Sequence, residues 1–79
     1  MKARIVVTLK SGILDPQGKA IEGALKSLGV EGVSSVRQGK VFDVELDGAD
    51  VEAARRTLTL ACDKLLANPI VEKYAVDLG

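Results

Sequence analysis

Apolar and polar residues alternate along the first nine positions of the chain. In an extended backbone every second side chain lies on the same face, so the apolar residues share one face: Ala3, Ile5, Val7 and Leu9. The polar residues Lys2, Arg4 and Thr8 share the other face with Val6. This pattern predicts a half-buried strand over residues 2–9.

A helical pattern follows from about Pro16 to Leu28, where apolar residues recur at three- and four-residue spacing: Ile21, Ala24, Leu25 and Leu28. Asp15 can accept the free amide hydrogens of the first turn, and Pro16 suits the first helical position. Gly29 is typical of a helix end. We expect something to approach the backbone of Gly18 closely, because glycine weakens the first turn.

Residues 33–38 and 40–46 are predicted to form two strands joined tightly at Gly39, as a hairpin. In the second of them Phe42, Val44 and Leu46 lie on one face and the acidic residues on the other. This alternation favours a sheet with one covered face and one open face.

A second helix begins after Asp50, with one long apolar stripe: Val51, Ala54, Leu58, Ala61 and Leu65. It is expected to end at 67–69, the segment Ala-Asn-Pro, since proline cannot continue a helix. Residues 70–78 predict a last strand, in which Tyr74, Val76 and Leu78 share a face.

The resulting order, βαββαβ, predicts an α+β ferredoxin-like fold in one domain, residues 1–79: a four-stranded antiparallel sheet with two helices on one face. The first and third strands are neighbours in that topology. Arg4 should therefore lie near Asp43 and Glu45. On the same open face Val6 and Val41 indicate a subunit contact.

The composition favours a small core that is supported by self-association. The chain of 79 residues is 47% hydrophobic but contains one Phe, one Tyr and no Trp. Cys62, the single cysteine, lies on the apolar helical stripe and is interpreted as a buried structural thiol. The absence of cysteine pairs, of a signal peptide and of a long apolar run indicates a cytoplasmic protein that does not enter a membrane.

Several classes of chemistry lack the residues they need. The chain has no histidine, the commonest general base near neutral pH, and its one cysteine cannot form a thiolate metal cluster. Zero net charge and acidic residues on the open face argue against a nucleic-acid partner. An autonomous enzyme is therefore not expected.

Three polar segments remain as candidates for contact with a partner, and each also has a purely structural interpretation. The first, Lys10–Gly18, is a strand-to-helix turn in which Gly12 allows a tight exit. The second, Arg37–Lys40, is a solvated hairpin tip or a basic tip that meets a partner. The third, Leu65–Pro69 with Glu72 and Tyr74, is a helix end and strand entry.

These segments resemble the PurS family, the small subunit of phosphoribosylformylglycinamidine synthase. The resemblance covers essentially the whole chain in order. Its most specific parts are Leu-Asp-Pro-Gln-Gly at 14–18 and Leu-Leu-Ala-Asn-Pro at 65–69, with Val-Arg-Gln-Gly-Lys at 36–40 between them.

The resemblance implies a non-catalytic, accessory subunit of a ligase complex in purine biosynthesis. The complex converts formylglycinamide ribonucleotide, glutamine and ATP to the amidine. The implied partners are the large synthetase subunit (PurL), the glutaminase subunit (PurQ) and further copies of this chain, as a dimer or tetramer. No cofactor is expected in this subunit, whereas ATP and magnesium are expected in the synthetase.

Nine residues are predicted to contact partners on this basis: Lys10, Gly12, Asp15, Gln17, Gly18, Arg37, Lys40, Asn68 and Tyr74. No catalytic or metal-binding residue is predicted. The residues alone leave one alternative open, a ferredoxin-like regulatory domain that binds a small molecule and associates through its sheet.

Overall fold

The protein is described by a computed structural model covering residues 1–78, so Gly79, the last residue of the predicted domain, lies outside the described residues. The strands and helices are β1 (Lys2–Leu9), α1 (Pro16–Ser27), β2 (Gly39–Glu45), α2 (Val51–Ala61) and β3 (Glu72–Asp77). A short π-helical segment, Cys62–Leu66, continues α2. Both helices begin at the predicted aspartates, and Gly29 has a φ of +80° just after α1.

The described residues form a three-stranded antiparallel sheet with β1 in the centre, in the order β2-β1-β3. Val6 is paired with Val41 on one side and with Ala75 on the other. This arrangement confirms the α+β class and the predicted adjacency of the first strand to the strand that contains Phe42.

The core lies between the sheet and α2 with its π-helical extension. Ile5, Val7, Leu58 and Cys62 are almost completely buried. Burial of an aliphatic side chain of this size contributes about 1.5–3 kcal/mol. The predicted apolar faces of β2 and β3 pack around this centre, including Phe42, Val44, Tyr74, Val76 and Leu78. The predicted burial of Cys62 is confirmed.

Arg4 and Asp43 form the predicted cross-strand ion pair on the open face, with Nε and Oδ1 2.9 Å apart. Glu45, predicted near Arg4 as well, instead lies opposite Lys2, at 3.9 Å between Nζ and Oε1. Both pairs are exposed to solvent, so they help to select the strand register and contribute little to stability.

The predicted strand over residues 33–38 and the hairpin at Gly39 are wrong for the described chain. Side-chain carboxylates take the backbone amides that a hairpin would need. Val36 donates its N–H to Glu22 Oε2 at 2.9 Å, and Gln38 donates to Asp15 Oδ2 at 2.6 Å. The segment therefore lies against α1, and Gly39 is the first residue of β2.

Within residues 1–78, only α2 and its π-helical extension cover the sheet, in contrast to the predicted pair of helices on one face. Gly18 is the one buried residue of α1, and Ile21 remains 37% exposed on its apolar side. The molecule is correspondingly elongated, with principal extents of 48 × 24 × 15 Å.

Candidate functional site

Most of the predicted contact residues meet at one end of the sheet, where β1 ends and β2 and β3 begin. We call this region the loop cluster; it consists of Lys10, Gly12, Asp15, Gln17, Gly18, Arg37, Lys40 and Asn68. The chain segments that carry these residues are separated in sequence and are joined by side-chain hydrogen bonds to backbone groups.

Asp15 is the buried centre of the loop cluster. Its Oδ1 accepts the Gly18 N–H at 3.0 Å, as a helix cap, while its Oδ2 accepts the Gln38 N–H at 2.6 Å. The side chain is buried, with the residue 5% exposed. The amides of Gln38 and Gly18 lower the pKa of the Asp15 carboxyl, because they bind its ionised form.

Gly18 is approached closely, as predicted, and the approaching group belongs to the same chain. A Cβ added to Gly18 would overlap the Val36 carbonyl oxygen and would lie 2.6 Å from Asp15 Oδ2. Only glycine fits between these groups. The Val36 N–H in turn binds Glu22 and lowers the pKa of that carboxyl. These contacts hold residues 36–38 against the N-terminal half of α1.

Arg37 is held against the loop after β1 and does not extend from a hairpin tip. Its guanidinium donates to the carbonyl oxygens of Ile13 at 2.8 Å, Lys10 at 3.1 Å and Leu9 at 3.4 Å. The loop turns tightly at Gly12, which has a φ of +85°. The predicted tight exit is confirmed, and Arg37 fixes its shape.

Lys10 and Asn68 connect this loop to the start of β3. Lys10 Nζ donates to the Pro69 carbonyl at 2.7 Å, and Asn68 Oδ1 accepts the Ile70 N–H at 3.1 Å. Glu72 accepts the Asn68 N–H at 2.7 Å and lies 3.7 Å from Lys40 Nζ. The second predicted segment, Arg37–Lys40, and the third, Leu65–Pro69 with Glu72, are therefore adjacent in space.

Tyr74 is the one predicted contact residue that lies outside the loop cluster. Its hydroxyl donates to Asp63 at 2.9 Å, and its ring packs against the core. The hydrogen bond to Asp63 and partial burial raise the pKa of the Tyr74 hydroxyl, and burial raises that of the Cys62 thiol beside it. Tyr74 therefore fastens β3 to the π-helical segment.

A pocket of about 320 Å³ opens in the loop cluster. Its polar lining is formed by Thr8, Asp15, Gln17, Gln38, Lys40 and Glu72.

Gln38 and Glu22 were not predicted as site residues. Gln38 binds Asp15, 23 positions away, and Glu22 binds Val36, 14 positions away, and no local pattern marks such contacts. The polar groups of this region mainly bind the backbone, so the arrangement holds a surface in a fixed shape.

Comparison with known proteins gives a consistent result along the whole chain. Residues 2–79 match the family described as "PurS: Phosphoribosylformylglycinamidine (FGAM) synthase". The chain belongs to the PurS family. It is 43% identical to the PurS subunit of Synechocystis sp. over 95% of this chain and 75% of that protein. It is also 43% identical to the Mycobacterium leprae PurS subunit, over 95% of this chain and 91% of that one.

Solved PurS structures have the same fold. PurS of Methanocaldococcus jannaschii, titled as a subunit of formylglycinamide ribonucleotide amidotransferase in the purine biosynthetic pathway, matches with a TM-score of 0.87 at 34% identity, over 96% of this chain and 92% of that one. A chain in the structure of PurLQS from Thermotoga maritima matches with a TM-score of 0.88 at 36% identity, over 96% and 93%.

Membership of this family makes the chain an accessory subunit of a ligase, phosphoribosylformylglycinamidine synthase, in purine biosynthesis. None of the helices among residues 1–78 has the length and apolar character needed to cross a membrane.

Proposed function

We propose that this chain is the non-catalytic subunit that joins the glutaminase (PurQ) to the large synthetase (PurL), and that it does so as a dimer or tetramer. The single observation that carries the proposal is the similarity over nearly the whole chain to a component of PurLQS. In this assembly the synthetase binds ATP and magnesium, and the complex works in the cytoplasm without nucleic acid or membrane partners.

The bridging role follows from the chemistry of the overall reaction. Ammonia released from glutamine at one subunit must reach the acceptor at another before it escapes into water. A rigid bridge contributes by fixing the distance and orientation of the two sites, which is a proximity effect. The backbone hydrogen bonds of Asp15 and Arg37 supply that rigidity at the loop cluster.

The exposed members of the loop cluster are proposed to contact PurL or PurQ. Lys10 and Arg37 donate to neutral carbonyl oxygens of their own chain, so their positive charges remain available to carboxylates of a partner. Lys40, Gln17, Gly12 and Asn68 are exposed beside them. Asp15 and Gly18 are buried and act by holding this surface in shape, while Tyr74 supports β3.

Assembly can be measured by sedimentation of the three purified subunits. The Lys10→Ala/Lys40→Ala variant should weaken the complex at least about tenfold, whereas the Lys26→Ala control, on the last turn of α1, should assemble normally. Normal assembly of the double variant would remove the loop cluster from the interface.

The pocket at Gln17 and Lys40 is the observation that favours the alternative, a regulatory domain that binds a small molecule, because its volume falls within the range of ligand sites. A thermal-shift measurement separates the two functions. A ligand of the isolated chain raises its melting temperature with concentration, whereas a bridging subunit responds only to its partner proteins.

A further inference from the structure

Helix α2 carries two arginines that the fold does not use. Of the four arginines in the chain, Arg4 forms the cross-strand ion pair and Arg37 binds the loop after β1. Arg55 and Arg56 form no hydrogen bond or ion pair with any group of residues 1–78. Their guanidinium groups are therefore free to bind groups of another molecule.

These arginines belong to the side of α2 that faces away from the core. Ala54 and Leu58 are buried on the inner side. Arg56 is one turn from Leu60, so the two side chains are neighbours on the helix surface, and Leu60 is 55% exposed. Six residues of this outer face line a shallow groove: Glu52, Arg55, Arg56, Thr59, Leu60 and Asp63.

The composition of the groove favours a protein surface as its occupant. Arginine is enriched in protein interfaces and is frequent among the residues that dominate binding energy. Its planar guanidinium binds carboxylates through two parallel hydrogen bonds. Leu60 adds an apolar contact that a small anion would not use, and a groove this open does not enclose a small molecule. The complementary surface presents carboxylates around an apolar side chain.

The groove is separate from the loop cluster. The loop cluster lies where β2 begins, whereas α2 follows the other end of β2 after residues 46–50. Arg55 and Arg56 are in the first half of α2, and no residue that lines the groove belongs to the loop cluster. A subunit that joins two proteins needs two surfaces that can be occupied at the same time, and this chain has both.

We propose that the outer face of α2 is a second docking surface, which binds an acidic surface of the partner subunit that does not contact the loop cluster. Arg55 and Arg56 pair with carboxylates of that partner, and Leu60 packs between them. The inference rests on the proposed bridging function and assigns its two contacts to two different surfaces of one chain.

Sedimentation of mixtures of this chain with PurL and PurQ tests the assignment. Because alanine favours helices and both arginines are exposed, Arg55→Ala/Arg56→Ala should fold normally by circular dichroism. This variant should bind one partner as the wild type does and the other at least about tenfold more weakly. The loop-cluster variant Lys10→Ala/Lys40→Ala should show the opposite selectivity. Lys26→Ala/Lys73→Ala removes the same charge elsewhere and should bind both partners normally.

Opposite losses in the two variants support the proposal. Normal binding of both partners by Arg55→Ala/Arg56→Ala overturns it, as does loss of the same partner by both variants or an equal loss in the charge-matched control. A melting temperature of the wild type that rises with inorganic phosphate, but not that of the arginine variant, would identify an anion site and also overturn it. A wild-type chain that binds neither partner contradicts the bridging function itself.

The salt dependence of binding provides a second test. Raising the ionic strength from about 0.1 M to about 1 M shortens the screening length from about 10 Å to about 3 Å. Binding of the partner at α2 should weaken over this range for the wild type and for Leu60→Gln, and less for Arg55→Ala/Arg56→Ala. Leu60→Gln should also bind about fivefold more weakly at every salt concentration, with an unchanged free energy of unfolding. Identical affinity and salt dependence in all three proteins would overturn the proposal.

Discussion

The Asp15 carboxylate binds the backbone of Gln38, 23 positions away, at 2.6 Å while it also caps α1 at Gly18. Its two oxygens thereby join the helix N-terminus to the entry of β2. The same carboxylate explains why residues 33–38 lie along α1, because it uses an amide that a hairpin would have needed. A helix cap therefore determines a long-range feature of the fold.

Replacing Asp15 by Asn should destabilise the protein more than the same change at Asp50. The Asp50 carboxylate caps only its own helix, through Glu52 and Ala53, and asparagine caps helices as well as aspartate does. At Asp15 the asparagine presents one acceptor where two are used. We expect thermal unfolding, followed by circular dichroism, to show a Tm lower by about 5 °C for Asp15→Asn and nearly unchanged for Asp50→Asn. Equal shifts would show that the bond to Gln38 contributes nothing.

Stability should fall in acid, below the ordinary carboxyl pKa. The pKa values of Asp15 and Glu22 are lowered in the fold, because backbone amides bind their ionised forms. Their stabilising contribution is complete above about pH 4.5 and is lost as the pH falls through the lowered folded values. The Tm measured from pH 7 to pH 2.5 should decline less steeply for Asp15→Asn/Glu22→Gln than for the wild type. Parallel declines would assign acid sensitivity to other carboxyls.

Alanine should have opposite effects at two glycines of α1. At Gly18 a Cβ overlaps the Val36 carbonyl, whereas at Gly23 it meets no atom within 4 Å. We expect Gly18→Ala to lower the free energy of unfolding by about 1–3 kcal/mol and Gly23→Ala to raise it by about 0.5–1 kcal/mol. Urea unfolding measures both. A stabilising Gly18→Ala would contradict the close approach of Val36.

Arg37→Lys should loosen the loop after β1. Lysine cannot reproduce the planar set of donors that binds the carbonyls of Ile13 and Lys10. Hydrogen exchange read by mass spectrometry should become about tenfold faster in a peptide spanning residues 10–14, and the Arg55→Lys control on α2 should leave it unchanged. Unaltered exchange would show that the loop holds its shape without the guanidinium.

Local patterns predicted the elements that depend on nearby residues. The alternation of β1, the caps at Asp15 and Asp50 and the positive φ of Gly29 follow from neighbours within a few positions. The Arg4–Asp43 pair also followed, because the assumed topology placed β1 beside β2. These features are the ones for which periodicity and backbone geometry leave few alternatives.

The segment 33–38 could not be placed in the same way. Val33 and Val36 suit a strand, but whether the strand pairs depends on which acceptors reach its amides, and these are the distant Asp15 and Glu22. The position of α1 was missed for a related reason. An apolar helix face predicts burial, yet it does not indicate whether the covering surface belongs to the same chain.

The most direct test of the bridging function is the amidation of formylglycinamide ribonucleotide by PurL and PurQ, with and without this chain, in parallel reactions supplied with glutamine or with ammonium. The account predicts that glutamine-dependent activity appears only when this chain is present, while ammonium-dependent activity barely changes. Glutamine-dependent activity that is equally high without the chain would contradict a bridging function.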